Sequence, residues 1–416
     1  MLLLQPLAPA AASTASPFAS TPARYRAAIA AQPWRGALEP AAECHTPVEC
    51  EVTQGAIPAD LLGTLFRIGA GRVRVGETPY GHWFDGDGWA CALAFPGDGA
   101  PPRFRARYVE TPRRAAQAAW RGDGMAERGA WTQRGDGSPL ANACRIATSP
   151  ANTNLIYHAG RLLALCEGGP PAQLDPATLE TLQPEVRDFG LPSLLGISFF
   201  GAHPKVDHRS GVLTGSGIEL GLRFPPSLGL FELSPDPAAR APLAQAKLPL
   251  PFFTFVHEIG ISDKHVVVVV PPYGVLGSTL EQLAAVLRSV VLGDGSIGRG
   301  FEWSTERLGG TRVYVLERGT LRLLGCGELP GAPSFYHVLN FFDGDGGSDG
   351  GSEGDRGDDG DGGGGGVGAG AGPCAGRRRV LTLQLAQHIG PREAVEGNFR
   401  DMYGASFGAD RQVSSK

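Results

Sequence analysis

Several protein classes are excluded by what this chain has little of. Its seven cysteines, at positions 44, 50, 91, 144, 166, 326 and 374, are odd in number, scattered, and form no CxxC pair. Neither a disulfide framework nor a structural zinc site fits that pattern, and free thiols in a reducing compartment are expected. No stretch approaches the roughly 18 apolar residues of a membrane-spanning helix, so any membrane contact is expected to be peripheral. Basic excess is also missing. With 37 Lys and Arg against 42 Asp and Glu, the net charge of −5 argues against a nucleic acid partner. No protein partner is indicated. Acidic residues are absent before Glu39, and the segment 1–33 is rich in Ala, Ser and Thr with a few arginines. That composition suits a plastid transit peptide, with a disordered leader as the plainer alternative. A secretory signal fits less well, because MLLL is short, is interrupted by Gln5 and Pro6, and has no basic residue ahead of it. Amphipathic helix is scarce too. The best candidate is 280–292, opened by a capping box of Ser278 and Glu281.

What the chain does have is glycine and proline, 61 and 34 of them, dividing short β-prone runs. Many short strands separated by such turns indicate an all-β sandwich, barrel or propeller, and 416 residues favour the propeller. The stretch 251–272, PFFTFVHEIGISDKHVVVVVPP, carries two apolar runs at 252–256 and 266–270 that read as paired strands buried on both faces, with His257 closing the first. In TNLIYHAGRLLALCEGG, two strands flank a His-Ala-Gly-Arg turn and end at Glu167, a carboxylate that must be exposed or paired. His203 follows an aromatic run, and His337 lies in the apolar FYHVLN. In GHWFDGDG, Asp85 and Asp87 read as turn residues. A calcium loop is the sharper alternative, but its twelfth position, counted from Asp85, is Pro96 rather than glutamate. Residues 34–51 read as irregular and 103–151 as loop with edge strands. The acidic, Gly-rich tract 341–376 cannot bury a core and is expected to be disordered, after which 377–416 resumes as a partial continuation of the 34–340 domain.

His203, His257 and His337 lie 54 and 80 residues apart, which excludes a local motif. The spacing suits a radial fold whose successive sheets each send one residue to a common axis. The other six histidines, at 45, 82, 158, 208, 265 and 388, fall mostly in turns and polar loops, where surface placement is the default.

Seven segments, GAIPADLLGTLFRIGAGR, GHWFDGDG, NTNLIYHAGRLLALCEGGPPAQLDPATLET, AHPKVDHRSG, FVHEIGISDKHVVVVVPP, TRVYVLERG and FYHVLN, occur in the order found in the carotenoid cleavage oxygenases, which the chain resembles. The resemblance implies a seven-bladed β-propeller with a loop and helix cap, here incomplete at the C-terminus, and an Fe(II) held on the axis by four histidines. His203, His257 and His337 match the first three ligands, and Glu167 matches an outer glutamate that bonds a ligand imidazole. O₂ then cleaves a conjugated double bond of a carotenoid or apocarotenoid into two carbonyl products, in an aromatic tunnel. The family's fourth histidine has no match, since His388 lacks its flanking pattern, and Glu393 and Glu396 are unassigned candidates for further outer carboxylates. An inactive truncated paralogue or incomplete gene model that at most binds a lipid is the alternative. A three-histidine zinc hydrolase gains no support from the ordered segments.

Overall fold

A computed structural model describes residues 4–6, 39–122, 124–130, 132–135, 139–143, 145, 147–191, 193–194, 197–198, 200–219, 225–292, 301–329, 335–344 and 380–387. The leader assigned to 1–33 lies outside them, apart from Leu4–Pro6, which pairs with Cys44–Val52. Most of the glycine-rich tract also lies outside.

The chain is mostly β, and its larger antiparallel sheets follow one another in sequence. The first places its strands in the order Leu4–Pro6, Cys44–Val52, Arg103–Tyr108, Asp87–Pro96, Leu62–Arg72. Three four-stranded sheets follow. The second is Thr181–Gln183, Ala172–Leu174, Arg161–Leu165, Asn154–His158. Next comes Lys205–Val206, Leu213–Glu219, Ser227–Leu233, Ala244–Pro249. The fourth is Ile259–Ile261, His265–Val270, Thr311–Glu317, Leu323–Leu329. A fifth, two-stranded ladder joins Phe335–Gly344 to Val380–Gln387. Side chains alternate between the faces of a strand, so each sheet can pack on the one before and the one after. Ala90 and Ala92 of the first sheet meet Leu162 and Ala164 of the second, whose Leu163 and Leu165 meet Leu213 and Phe231 of the third. Leu228 and Leu230 of the third meet Val266, Val268 and Val270 of the fourth, and its Val267 and Val269 meet Val338 and Phe341 of the fifth. That explains the five-valine run: both faces are interior, and each fully buried valine contributes roughly 1.5–3 kcal/mol. The first sheet meets the segment leading into the second at Gly88, whose amide donates to the Pro150 carbonyl and where a Cβ would stand 2.1 Å from the Ala151 carbonyl oxygen.

Local signals account for much of this. The turn between Asn154–His158 and Arg161–Leu165 is Ala159–Gly160, both at positive φ, as a two-residue hairpin demands. Helix Thr279–Leu292 begins as its capping box specifies, the Ser278 amide donating to Glu281 at 2.7 Å and the Glu281 amide to the Ser278 hydroxyl.

The structure corrects five sequence readings. Residues 252–256 are not a strand; Ile259–Ile261 pairs with the valine run instead, and His257 sits in the irregular segment ahead of it. Here Phe253 donates its amide to the buried Gln282 side chain, which takes the place of a ladder partner. Within 34–51, Cys44–Val52 is a strand, and Arg103–Tyr108 lies inside its sheet rather than at an edge. A further helix, Pro112–Ala119, is capped by Thr111 with Pro112 in its first turn. Asp85 and Asp87, which read as turn residues, instead close the short 3-10 helix Trp83–Asp85 and open the strand Asp87–Pro96, and both are buried. Asp85 accepts from the Thr132 hydroxyl at 2.7 Å and the Ala130 amide at 2.8 Å, while Asp87 accepts from Arg72 Nε at 2.6 Å, the Tyr80 hydroxyl at 2.9 Å and Arg113 at 3.2 Å. Asp87 is thus neutralised by two guanidiniums, Arg72 and Arg113. Finally, His82, His158 and His265 are buried, against the surface placement expected for them.

Candidate metal centre

Each of the three motif histidines sits at or beside the first strand of a different sheet. His203 precedes Lys205–Val206, His257 precedes Ile259–Ile261, and His337 lies within Phe335–Gly344. Because consecutive sheets stack face to face, their first strands converge, and a parallel bridge between His203 and Glu258 ties two of them together. The three rings meet there. Centroids of His203 and His257 are 4.3 Å apart, and each lies 5.0 Å from that of His337. One nitrogen from each ring falls within 4.8 Å of the others.

Carboxylates fix two of the rings. Glu167, just beyond Arg161–Leu165, bonds His257 Nδ1. Glu258 Oε2 bonds His337 Nδ1 at 2.9 Å and also accepts the Val338 amide at 2.7 Å. An ionised carboxylate only accepts, so each Nδ1 carries the proton and each Nε2 has its lone pair in the ring plane, the tautomer a metal ligand needs. His203 Nε2 is buried with no hydrogen-bond partner, an orphaned polar atom that a metal ion would satisfy without a proton. Burial, reinforced by the neighbouring His257, pushes the His203 imidazole down to about 3, keeping it neutral as a ligand must be. For His257, burial acts in the same direction, but the hydrogen bond and charge of Glu167 outweigh it and raise the ring's basicity. Burial alone would raise the Glu258 carboxyl; the Lys205 ammonium, bonded to Oε1, outweighs it and holds the group below its ordinary value.

Three neutral imidazoles without a ligating carboxylate suit a borderline divalent metal such as Fe(II). The donor set and the orphaned His203 nitrogen fit that ion. Among the described residues, the group contains three imidazoles; His388, Glu393 and Glu396 lie outside those residues. Sequence reasoning missed Glu258. Its signal was present, because a carboxylate beginning an apolar strand directly after a candidate ligand needs a buried partner.

The family model described as RPE65, retinal pigment epithelial membrane protein, matches residues 38–354. The chain belongs to this family. It is the family of the carotenoid cleavage oxygenases, and the chain is similar to several curated members. Apocarotenoid-15,15'-oxygenase of Synechocystis is 35% identical over 229 residues, covering 52% of this chain and 44% of the relative. Resveratrol cleavage oxygenase 1 of Chaetomium globosum is 32% identical over 228 residues, covering 54% of this chain and 36% of the relative. A solved variant of the Synechocystis apocarotenoid oxygenase superposes with a TM-score of 0.61 at 26% identity, covering 76% of this chain and 62% of that one. The chain therefore spans less than two thirds of the length of each of these carotenoid cleavage oxygenase relatives.

Proposed function

We propose that this protein is a non-haem Fe(II) dioxygenase that cleaves a conjugated double bond of an apocarotenoid or carotenoid to two carbonyl products. The observation that carries the reading is the convergence of His203, His257 and His337, two of them held by carboxylates through Nδ1. His203, His257 and His337 would hold the iron, on the axis of the seven-bladed propeller that the family resemblance implies. When bound, ferrous iron supplies the electrons that let ground-state O₂ react with an alkene. The chain's own residues do the rest. Glu167 and Glu258 hold the imidazoles in the ligating tautomer, and uncharged ligands leave the metal's positive charge undiminished.

Aromatic side chains next to the histidines suit a flat, apolar substrate. Phe255, two residues before His257 and 40% exposed, stacks on Phe301 with centroids 4.7 Å apart and ring planes at 22°, and Tyr273 and Phe253 flank the same ring. Such faces bind a polyene by dispersion and water exclusion. Helix Thr279–Leu292 presents Leu280, Leu287 and Val291 to solvent at 77%, 53% and 49% exposure, beside the exposed Leu140. This stripe supports peripheral contact with a lipid surface from which an insoluble substrate is drawn.

The names of the similar proteins favour two substrate classes. Similarity to an apocarotenoid oxygenase supports the polyene, and similarity to a resveratrol cleavage oxygenase supports a stilbene as the second reading. The test is O₂ uptake by the iron-loaded protein with an apocarotenoid aldehyde and, separately, a hydroxystilbene. We expect bleaching of the polyene matched by carbonyl formation, one O₂ per bond broken, and loss of both in His257→Ala. Equal turnover by His257→Ala would overturn the site, and cleavage of the stilbene alone would move the assignment to the second class.

A further inference from the structure

The three histidine-bearing segments are bonded to one another through residues adjacent to the histidines themselves. Lys205 lies two residues after His203, Glu258 directly follows His257, and Val338 directly follows His337. Glu258 is the hub. Its Oε1 accepts from the Lys205 ammonium, and its Oε2 accepts both the His337 ring at 2.9 Å and the Val338 amide at 2.7 Å. The Glu258 side chain is 6% exposed and that of Lys205 29%. One carboxylate thus reaches all three segments, reinforced by the backbone bridge between His203 and Glu258.

We propose that Lys205 and Glu258 form a positioning clasp that sets the mutual register of the three imidazoles and fixes the proton of His337 on Nδ1. The inference rests on the metal reading above and adds to it a role for Lys205, whose hydrogen bond goes to Glu258 rather than to a histidine ring. Lys205 acts through Glu258 in two ways. Its charge occupies Oε1 and turns Oε2 toward His337 and Val338, and it offsets the cost of burying a carboxylate beside an apolar strand. His337 needs that hold most, its side chain being 49% exposed, with little packing to fix the ring.

The chemistry sets an asymmetry. In Glu258→Gln the amide oxygen can still accept from His337 and Val338, but the amide NH₂ is then turned toward the Lys205 ammonium, donor against donor. The substituted amide therefore either faces a repulsive contact or flips, presenting NH₂ to His337 and favouring the wrong tautomer. Removing the ammonium relieves the conflict. Loss of metal affinity in the double variant Lys205→Met with Glu258→Gln should thus be smaller than the product of the two single losses.

The test is titration of Co(II) into metal-stripped full-length protein, read by the visible ligand-field spectrum, with thermal unfolding of the metal-free proteins alongside. Lys205→Met and Glu258→Gln are each expected to weaken Co(II) binding by roughly 10- to 100-fold and to alter the band shape of the Co(II) that does bind, Lys205→Met also lowering the metal-free unfolding temperature because the buried Glu258 loses its cation. Lys205→Arg, which keeps the cation, should restore most of the affinity. Parental affinity and spectrum in both single variants would refute the clasp while leaving the metal site standing. So would a parental band shape in variants saturated with Co(II), or an affinity not recovered by Lys205→Arg. Failure of the parent itself to bind Co(II), or unchanged binding in His257→Ala, would instead remove the metal reading and the clasp with it.

Discussion

Asp87→Asn should be among the most damaging single substitutions in the chain, although Asp87 lies in a Gly-Asp-Gly stretch that reads as a turn. The Asp87 carboxylate is 2% exposed and neutralises two cations, Arg72, with Nη2 at 2.5 Å, and Arg113, 3% exposed, at 3.2 Å; it also accepts the Tyr80 hydroxyl. An asparagine keeps one acceptor, turns two donors toward donors, and leaves the guanidiniums uncompensated. Breaking a buried ion pair by removing one partner costs about 3–5 kcal/mol. Arg113 also donates to the Asp85 carbonyl and faces the Tyr80 ring at 4.9 Å, contacts that survive and place the expected loss near about 3 kcal/mol. Urea unfolding at neutral pH measures it as a fall in midpoint at constant slope. Adding Arg113→Met should recover part of the loss, since one uncompensated charge goes with it. A loss below about 1 kcal/mol, the size of an exposed ion pair, would refute the reasoning. Stabilisation of the parent by calcium would contradict the neutralisation of Asp87 by two arginines directly.

Other outcomes follow from the same kind of contact. Glu167→Gln should weaken metal binding by roughly 10- to 100-fold, checked by competitive chelation, and unchanged affinity would remove Glu167 from the centre. Burial pushes the His82 imidazole down to about 4, so the unfolded chain binds the proton more readily than the folded one. Its contribution is therefore complete above about pH 6.5 and is lost as pH falls toward about 4, by up to roughly 3 kcal/mol, and His82→Asn should flatten that part of the stability profile. Ser278→Ala removes the hydroxyl that accepts the Glu281 amide while keeping the backbone amide bond to the Glu281 carboxylate, and should cost about 1 kcal/mol, seen as faster amide exchange at the start of Thr279–Leu292. Gly88→Ala must displace the backbone at Pro150 and Ala151, the segment that leads into the second sheet, and should cost roughly 1–3 kcal/mol in denaturant unfolding.

The parts of this molecule that could be read from sequence were those written in local grammar. The Ala159–Gly160 turn, the Ser278–Glu281 cap and the valine run each specify their element within a few residues. The three histidines were legible only through the order of motif segments around them, because nothing local links positions 203, 257 and 337. Where the reading failed, a distant partner decides the outcome. Asp85 and Asp87 have ideal turn chemistry, and only Arg72, Arg113 and Thr132, brought in by the fold, make them interior. Residues 252–256 are as apolar as a strand, but the side chain of Gln282 captures the Phe253 amide that a ladder would need. Glu258 was overlooked beside the histidine it follows, since its partners Lys205 and His337 lie 53 and 79 residues away. The helix Pro112–Ala119 was missed for a different reason: Thr111 and Pro112 do mark its start, yet it is only eight residues long and carries nothing larger than alanine on its apolar side.

The measurement that bears most directly on the central claim is an anaerobic Fe(II) titration of the metal-stripped protein beside His257→Ala. The account predicts one tightly bound iron per parental chain and none in the variant, with indistinguishable circular dichroism for the two metal-free proteins. Equal iron binding by both would contradict it, because the converging imidazoles would then not be what holds the metal.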